Sequence, residues 1–83
     1  MSENRAKVYV GVDARFDTEG RIMPLSIPWE DGRVYGIDRV LDMRRAASLK
    51  AGGAGTRYTV RIGRSETYLF NEDGRWFVER RES

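Results

Sequence analysis

The sequence predicts a small, mainly β domain, and three observations lead to that prediction. Short apolar runs alternate with polar residues at a period of two, as expected of strands with one buried face. Turns that contain glycine separate these runs. At 83 residues the chain has room for a single hydrophobic core. We therefore expect one domain over residues 1–83, with an ordered core at 6–80.

The first two predicted strands are joined by a glycine turn. Residues 7–16 alternate apolar and polar side chains, and residues 17–20 then provide a turn whose glycine can take a positive φ. Residues 22–29 form the second strand. Because Pro24 and Pro28 cannot donate ladder hydrogen bonds, we expect this strand at a sheet edge or at a bend. The side chains expected to share one of its faces are Met23, Leu25, Ile27 and Trp29.

The third predicted strand, at 34–45, has an interrupted alternation. Val40 and Leu41 are adjacent apolar residues, which predicts a bulge or sharp bend near Arg39. Residues 44–51 include alanine, leucine and lysine, which favour helix. These residues can add one helical turn before the glycine-rich loop that follows.

Two hairpins complete the predicted sheet. Residues 56–62 show the clearest alternation, and Gly63-Arg64 suits a two-residue type II′ turn. That turn sets Val60 opposite Thr67, Tyr58 opposite Leu69 and Arg61 opposite Glu66. A three-residue loop at 72–74 sets Leu69 opposite Phe77, Phe70 opposite Trp76 and Tyr68 opposite Val78. The elements together predict a curled sheet or barrel of five or six antiparallel strands, SH3-like or alternatively OB-like.

Short motifs between residues 24 and 79 carry a family resemblance. They are WEDGR at 29–33, IDRVLD at 37–42, RRAAS at 44–48 and DGRW at 73–76. As a set they resemble a family of small uncharacterised proteins from clostridia and related bacteria. A looser pattern, W–x–G–x–x–Y/I–x–V–L with R–Y/F–x–V and D–G–x–W, is similar to a domain of unknown function from actinobacteria. The resemblance supports the predicted fold and implies no particular activity.

The composition excludes several classes of site. The chain has neither cysteine nor histidine, which rules out a disulfide framework, thiolate zinc sites and Ser/His or Cys/His nucleophiles. The carboxylate pairs Asp38/Asp42 and Glu30/Asp31 are explained by neighbouring arginines and by turn chemistry. We therefore expect no enzymatic activity, no metal and no cofactor. The polar N-terminal segment has no apolar run that resembles a signal peptide, so we expect a cytoplasmic protein without membrane contact.

Positive charge is concentrated in the middle third of the chain. Residues 1–32 carry four cations and six carboxylates, a net −2. Residues 33–64 carry eight cations and two carboxylates, a net +6. Residues 65–83 carry three cations and five carboxylates, a net −2. Most of the cations are arginine, whose planar group binds phosphate or carboxylate in a fork and stacks on rings.

This charge predicts a nucleic-acid-binding module. The candidate contacts combine cations that can neutralise phosphates with aromatic rings that can stack on bases. They are Arg44, Arg45, Lys50, Arg57, Arg61, Tyr68 and Trp76. One alternative is a solvated basic face balanced by nearby carboxylates. The other is a protein-interaction module, or a self-associating homodimer, that docks a partner on an exposed aromatic face.

Overall fold

The computed structural model describes residues 4–47 and 54–82, with side chains described at 6–45 and 55–79. All regular structure in these ranges is β-strand. The strands of the described residues are, in chain order, β1 (Asn4–Val10), β2 (Asp13–Phe16), β3 (Ile22–Pro28), β4 (Val34–Gly36), β5 (Arg39–Ala47), β6 (Ala54–Ile62), β7 (Ser65–Glu72) and β8 (Arg75–Glu82).

The strands form two antiparallel sheets. The larger has the order β1-β8-β7-β6-β5, and the smaller has the order β2-β3-β4. The predicted small antiparallel β fold is thereby confirmed. The division into two sheets was not predicted, because the segments at 7–16 and 34–45 each form two strands rather than one. The chain passes between the sheets at Gly11-Val12 and again at Ile37-Asp38.

The predicted β6–β7 hairpin is confirmed in its turn and in its register. Gly63 has a φ of 61° and Arg64 has no positive φ, as a type II′ turn requires. The predicted pairs of Val60 with Thr67, Tyr58 with Leu69 and Arg61 with Glu66 all form. The carboxylate of Asp38 accepts a hydrogen bond of 2.7 Å from the Gly63 N–H, which ties this turn to the start of β5.

The predicted bulge near Arg39 is also confirmed. Val40 pairs with Val60 and Asp42 pairs with Thr59, so Leu41 is the extra residue. The bulge resolves the interrupted alternation, because it returns Met43 to the same face as Val40.

The predicted register of the β7–β8 hairpin is wrong by one residue. Phe70 pairs with Phe77, and Asn71 pairs with Trp76. The reason lies in the turn, where Asp73 and Gly74 both have positive φ, at 53° and 79°. Two such residues form a two-residue type I′ turn, which shortens the loop from the three residues expected.

The helical turn predicted at 44–51 is wrong over 44–47, where β5 continues to Ala47. Ala47 pairs with Ala54, and the ladder to β6 satisfies backbone groups that one isolated helical turn would satisfy poorly. Positions 48–53 lie outside the described residues.

Strand β3 is the central strand of the smaller sheet, not an edge. Its two prolines are accommodated because Pro24 borders a register shift and Pro28 is the last residue of the strand. The shift also changes which side chains point inward. Pro24 and Ile27 are buried, whereas Leu25 is exposed, so the predicted shared face does not form.

The core lies between the two sheets. Its buried members are Ile27 from the smaller sheet and Tyr58, Val60 and Leu69 from the larger. The partly buried residues packed around them are Val10, Val12, Ile37, Val40, Met43, Ile62, Trp76 and Val78. We call the core side of the larger sheet the inner face and its opposite side the outer face.

Candidate binding face

The outer face of the larger sheet carries a row of side chains that crosses all five strands. The strand registers place Tyr9, Phe77, Phe70, Arg57 and Arg44 opposite one another in that order. The ring centroids of Phe70 and Phe77 lie 4.9 Å apart with an interplanar angle of 4°, and Tyr9 meets Phe77 edge-on at 5.8 Å. The sheet therefore presents a continuous aromatic row that ends in two arginines.

Cations lie over three of the outer-face rings. The guanidinium carbon of Arg57 is 4.5 Å from the ring centroid of Tyr68, and that of Arg75 is 4.2 Å from the centroid of Tyr9. The ammonium of Lys7 is 4.6 Å from the centroid of Phe77. Phe77 is only 3% exposed, whereas Tyr9 is 50% and Tyr68 44% exposed. The two tyrosines are thus the most exposed rings of this face.

Arg57 differs from its neighbours because no described carboxylate pairs with it. Its Nε is buried without a hydrogen-bond partner. Arg44 instead binds Asp42 at 2.8 Å, and Arg61 binds Glu66 at 2.7 Å. Arg57 therefore presents a positive charge that the described part of the chain does not neutralise.

The structure brings together only part of the predicted site. Arg44, Arg57, Arg61 and Tyr68 share the outer face. Arg45 is exposed but pairs with Thr56, which puts it on the opposite face. Lys50 lies outside the described residues.

Trp76 is on the inner face, not beside Tyr68 as predicted. Its ring lies 5.4 Å from that of Tyr58, within the core. The one-residue difference in the β7–β8 turn exchanges the faces of Trp76 and Phe77, since side chains alternate along a strand.

Sequence reasoning missed several outer-face residues, namely Lys7, Tyr9, Arg75 and Phe77. The alternation in β1 does separate Tyr9 from the valines, and that pattern was a usable signal. Arg75 and Phe77 could not be placed without the correct length of the last turn.

The larger sheet is split between β7 and β8. These strands pair only near their turn, from Glu72 with Arg75 to Phe70 with Phe77. Beyond that point β7 pairs with β6 as far as Ser65, and β8 pairs with β1 as far as Glu82. No further pair joins β7 to β8 in the described ranges. The two strands therefore diverge over about half their length.

A groove opens into the split from each face. The outer groove, of about 400 Å³, is lined by Thr59, Glu66, Thr67, Tyr68 and Glu79. The inner groove, of about 450 Å³, is lined by Val8, Ile27, Trp29, Tyr35, Ile62, Thr67, Val78 and Glu79. Thr67 and Glu79 border both grooves. The inner groove is mostly apolar and reaches the smaller sheet, where Trp29 and Tyr35 meet edge-on.

The carboxylate pairs considered as catalytic candidates have structural contacts. Asp38 accepts the Gly63 N–H and Asp42 binds Arg44. Asp31 accepts the Arg33 N–H at 2.9 Å within the β3–β4 turn. The residues in ranges 4–47 and 54–82 hold no group of three or more acidic side chains arranged to bind a metal. Those ranges also contain no helix that is long and apolar enough to cross a membrane.

Comparison with known proteins finds no matching family model, no similar curated protein and no similar solved structure. The resemblance to the clostridial family therefore stays a prediction.

Proposed function

We propose that this protein is a non-enzymatic module that binds single-stranded nucleic acid on the outer face of its larger sheet. The observation that carries the proposal is Arg57, stacked on the exposed ring of Tyr68 without a described carboxylate partner. The Arg57 guanidinium offers a positive charge for a phosphate. The exposed Tyr68 ring beside it offers a flat surface on which a base can stack.

The rest of the face supports the same function. Arg75 and Tyr9 repeat the arrangement at the β1 side of the sheet, with the stacked phenylalanines between the two pairs. An open sheet that presents rings and arginines suits unpaired bases, which can splay out onto it. A duplex keeps its bases stacked on one another, so the rings would gain little from it. We therefore propose single strands over duplex.

The proposal is tested by fluorescence anisotropy with a labelled ten-nucleotide oligouridine. Oligodeoxythymidine of the same length and a ten-base-pair DNA duplex serve as comparisons, each at low and high salt. We expect the single strands to bind more tightly than the duplex at low salt, and to weaken as salt rises. Absence of single-strand binding at low salt, where the electrostatic attraction is greatest, would overturn the proposal.

A matched pair of variants locates the site. Arg57→Ala removes the stacked guanidinium and should weaken single-strand binding about fivefold, as expected for loss of one cation–aromatic contact of ~1 kcal/mol. Arg33→Ala removes the same charge from the exposed β3–β4 turn and should change the affinity less than about twofold. Equal losses in the two variants would show that net charge, not the outer face, determines binding.

A further inference from the structure

The split in the larger sheet leaves main-chain groups of β7 facing an opening. Residues along an antiparallel strand direct their N–H and C=O groups alternately to the neighbours on either side. Ser65 flanks the type II′ turn and pairs with Ile62, so Ser65, Thr67 and Leu69 bond to β6. Glu66 and Tyr68 therefore direct their N–H and C=O groups towards β8, which does not pair with them.

The side chains around the opening differ in chemistry between its two sides. On the inner side the groove is bordered by valine, isoleucine and the Trp29–Tyr35 pair. On the outer side it is bordered by the carboxylates of Glu66 and Glu79. Glu66 binds Arg61 through Oε2 and its side chain is 51% exposed, so its carboxylate can accept a second cation. A strand in the opening would point successive side chains to opposite sides. Apolar and basic residues in alternation are complementary to the two sides.

We propose that this opening binds an extended peptide of a partner protein by strand addition to β7. The peptide forms main-chain hydrogen bonds with Glu66 and Tyr68. It places apolar side chains in the inner groove and basic side chains beside Glu66 and Glu79. Main-chain bonds supply affinity in this mode, and pockets for alternate side chains supply specificity. The site adjoins the proposed nucleic-acid contacts and shares Tyr68 with them, because the peptide bonds to the Tyr68 main chain whereas Arg57 lies on the Tyr68 ring.

Strand β5, one of the two edges of the same sheet, is less suited to strand addition. Strand β5 is interrupted by the bulge at Leu41 and carries Arg39, Arg44 and Arg45. Bulges and charged side chains are the devices by which proteins prevent pairing at an exposed edge. The edge of β7 at Glu66–Tyr68 has no bulge in its pairing with β6 and borders an apolar groove.

The test uses the full chain and a synthetic peptide, acetyl-Lys-Val-Lys-Val-Lys-Val-Lys-amide. Amide hydrogen exchange measured by NMR reports directly on the unpaired edge of β7 at Glu66–Tyr68. The amides of Glu66 and Tyr68 should exchange readily in the free protein and slow by at least about tenfold when the peptide is bound. If they are already protected in the free protein, through closure of the split or self-association, the proposal is overturned.

Two control peptides separate strand addition from charge attraction. The first carries N-methyl groups at alternate residues, which removes the main-chain donors on one edge, and it is made in both registers. The second, acetyl-Val-Val-Val-Lys-Lys-Lys-Lys-amide, has the same composition without the alternation. We expect the N-methyl register whose methyl groups face β7, and the control without alternation, to bind at least about fivefold more weakly. Equal, undiminished binding of both N-methyl registers or of the control without alternation, or no binding of the alternating peptide, overturns the proposal.

A charge reversal then distinguishes this site from the nucleic-acid site. Glu66→Lys should weaken binding of the alternating peptide at least about fivefold, whereas Glu19→Lys in the β2–β3 turn, at an exposed residue that lines neither groove, should change it less than about twofold. The same Glu66→Lys change adds positive charge to the outer face and should leave oligouridine binding equal or tighter. Peptide binding that is unchanged in Glu66→Lys contradicts the assigned position of the basic residues.

Discussion

The hydroxyl of Tyr58, on the larger sheet, donates a hydrogen bond of 2.6 Å to the carbonyl oxygen of Ile22, on the smaller sheet. The ring of Tyr58 is only 2% exposed and packs in the core between the sheets. The bond therefore satisfies a polar group that enters an otherwise apolar interface, and it connects residues 36 positions apart in the chain.

Replacing Tyr58 by phenylalanine keeps the ring and removes this bond. We expect Tyr58→Phe to lower the free energy of unfolding by about 1–2 kcal/mol, since the Ile22 carbonyl loses its partner. Tyr68→Phe, at an exposed ring, is the control and should change stability by less than ~0.5 kcal/mol. Urea unfolding followed by circular dichroism measures both. Equal effects in the two variants would contradict a role for the bond in joining the sheets.

The same tyrosine predicts a dependence of stability on high pH. Burial raises the pKa of the Tyr58 hydroxyl above its ordinary value. The folded state then holds this proton more tightly than the unfolded state, so the contribution is complete below the unfolded pKa of about 10 and declines as the pH rises through the folded value. The difference in stability between the wild type and Tyr58→Phe should therefore shrink as the pH rises above about 10. A difference that stays constant over this range would show that the hydroxyl does not titrate differently in the two states.

The turn between β7 and β8 depends on Gly74 at positive φ. An alanine at a φ of 79° is strained, although no atom lies within 4 Å of the added methyl group. We expect Gly74→Ala to lower the free energy of unfolding by about 1–2 kcal/mol. Gly11→Ala is the matched control, because Gly11 has equal space and no positive φ, and it should be neutral or slightly stabilising. If Gly74→Ala leaves the stability measured by thermal unfolding unchanged, the loop between β7 and β8 takes another turn type.

The same turn shows where prediction from the sequence succeeds and fails. Alternation and glycine turns were sufficient to predict an antiparallel β fold and the full β6–β7 register. Glu72-Asp73-Gly74 fits both a two-residue and a three-residue loop by composition. Only the φ angles decide between them, and the choice exchanges the faces of Trp76 and Phe77. Because this turn was ambiguous, the sequence wrongly predicted Trp76 as a contact residue and did not predict Phe77 as a member of the aromatic row.

The split in the sheet could not be predicted in the same way. Residues 65–69 and 78–82 each pair along their whole length, but with β6 and β1 rather than with each other. A hydrophobic pattern records which side of a strand is buried and not which strands are neighbours. Likewise the basic character of residues 33–64 was evident and the predicted register set Arg61 opposite Glu66, but the ion pair of Arg44 with Asp42 was not predicted.

Phe77 gives the outer face a structural role beside its proposed binding role. It is 3% exposed, stacked on Phe70 and covered by Lys7. We expect Phe77→Ala to lower the free energy of unfolding by about 3 kcal/mol, as for other buried phenylalanines. Phe16→Ala, at a ring that is 73% exposed, should change it by less than ~0.5 kcal/mol. Chemical denaturation of both variants tests this. A small loss of unfolding free energy in Phe77→Ala would mean that the outer-face rings contribute little to stability.

The ion pairs on the outer face predict how steeply nucleic-acid binding depends on salt. Five phosphate contacts, from Arg39, Arg44, Arg57, Arg61 and Arg75, would give a slope of log K against log salt of about −3.5 on single strands, at ~0.7 per contact. Arg44 and Arg61 are already paired with Asp42 and Glu66, whereas Arg39, Arg57 and Arg75 have no carboxylate partner among the described residues. Three contacts predict a slope of about −2 for oligouridine, and Arg57→Ala should reduce its magnitude by ~0.7. Anisotropy titrations across a salt series measure the slope. A wild-type value of about −3.5 would contradict this assignment and show that the ion pairs of Arg44 and Arg61 open when the strand binds.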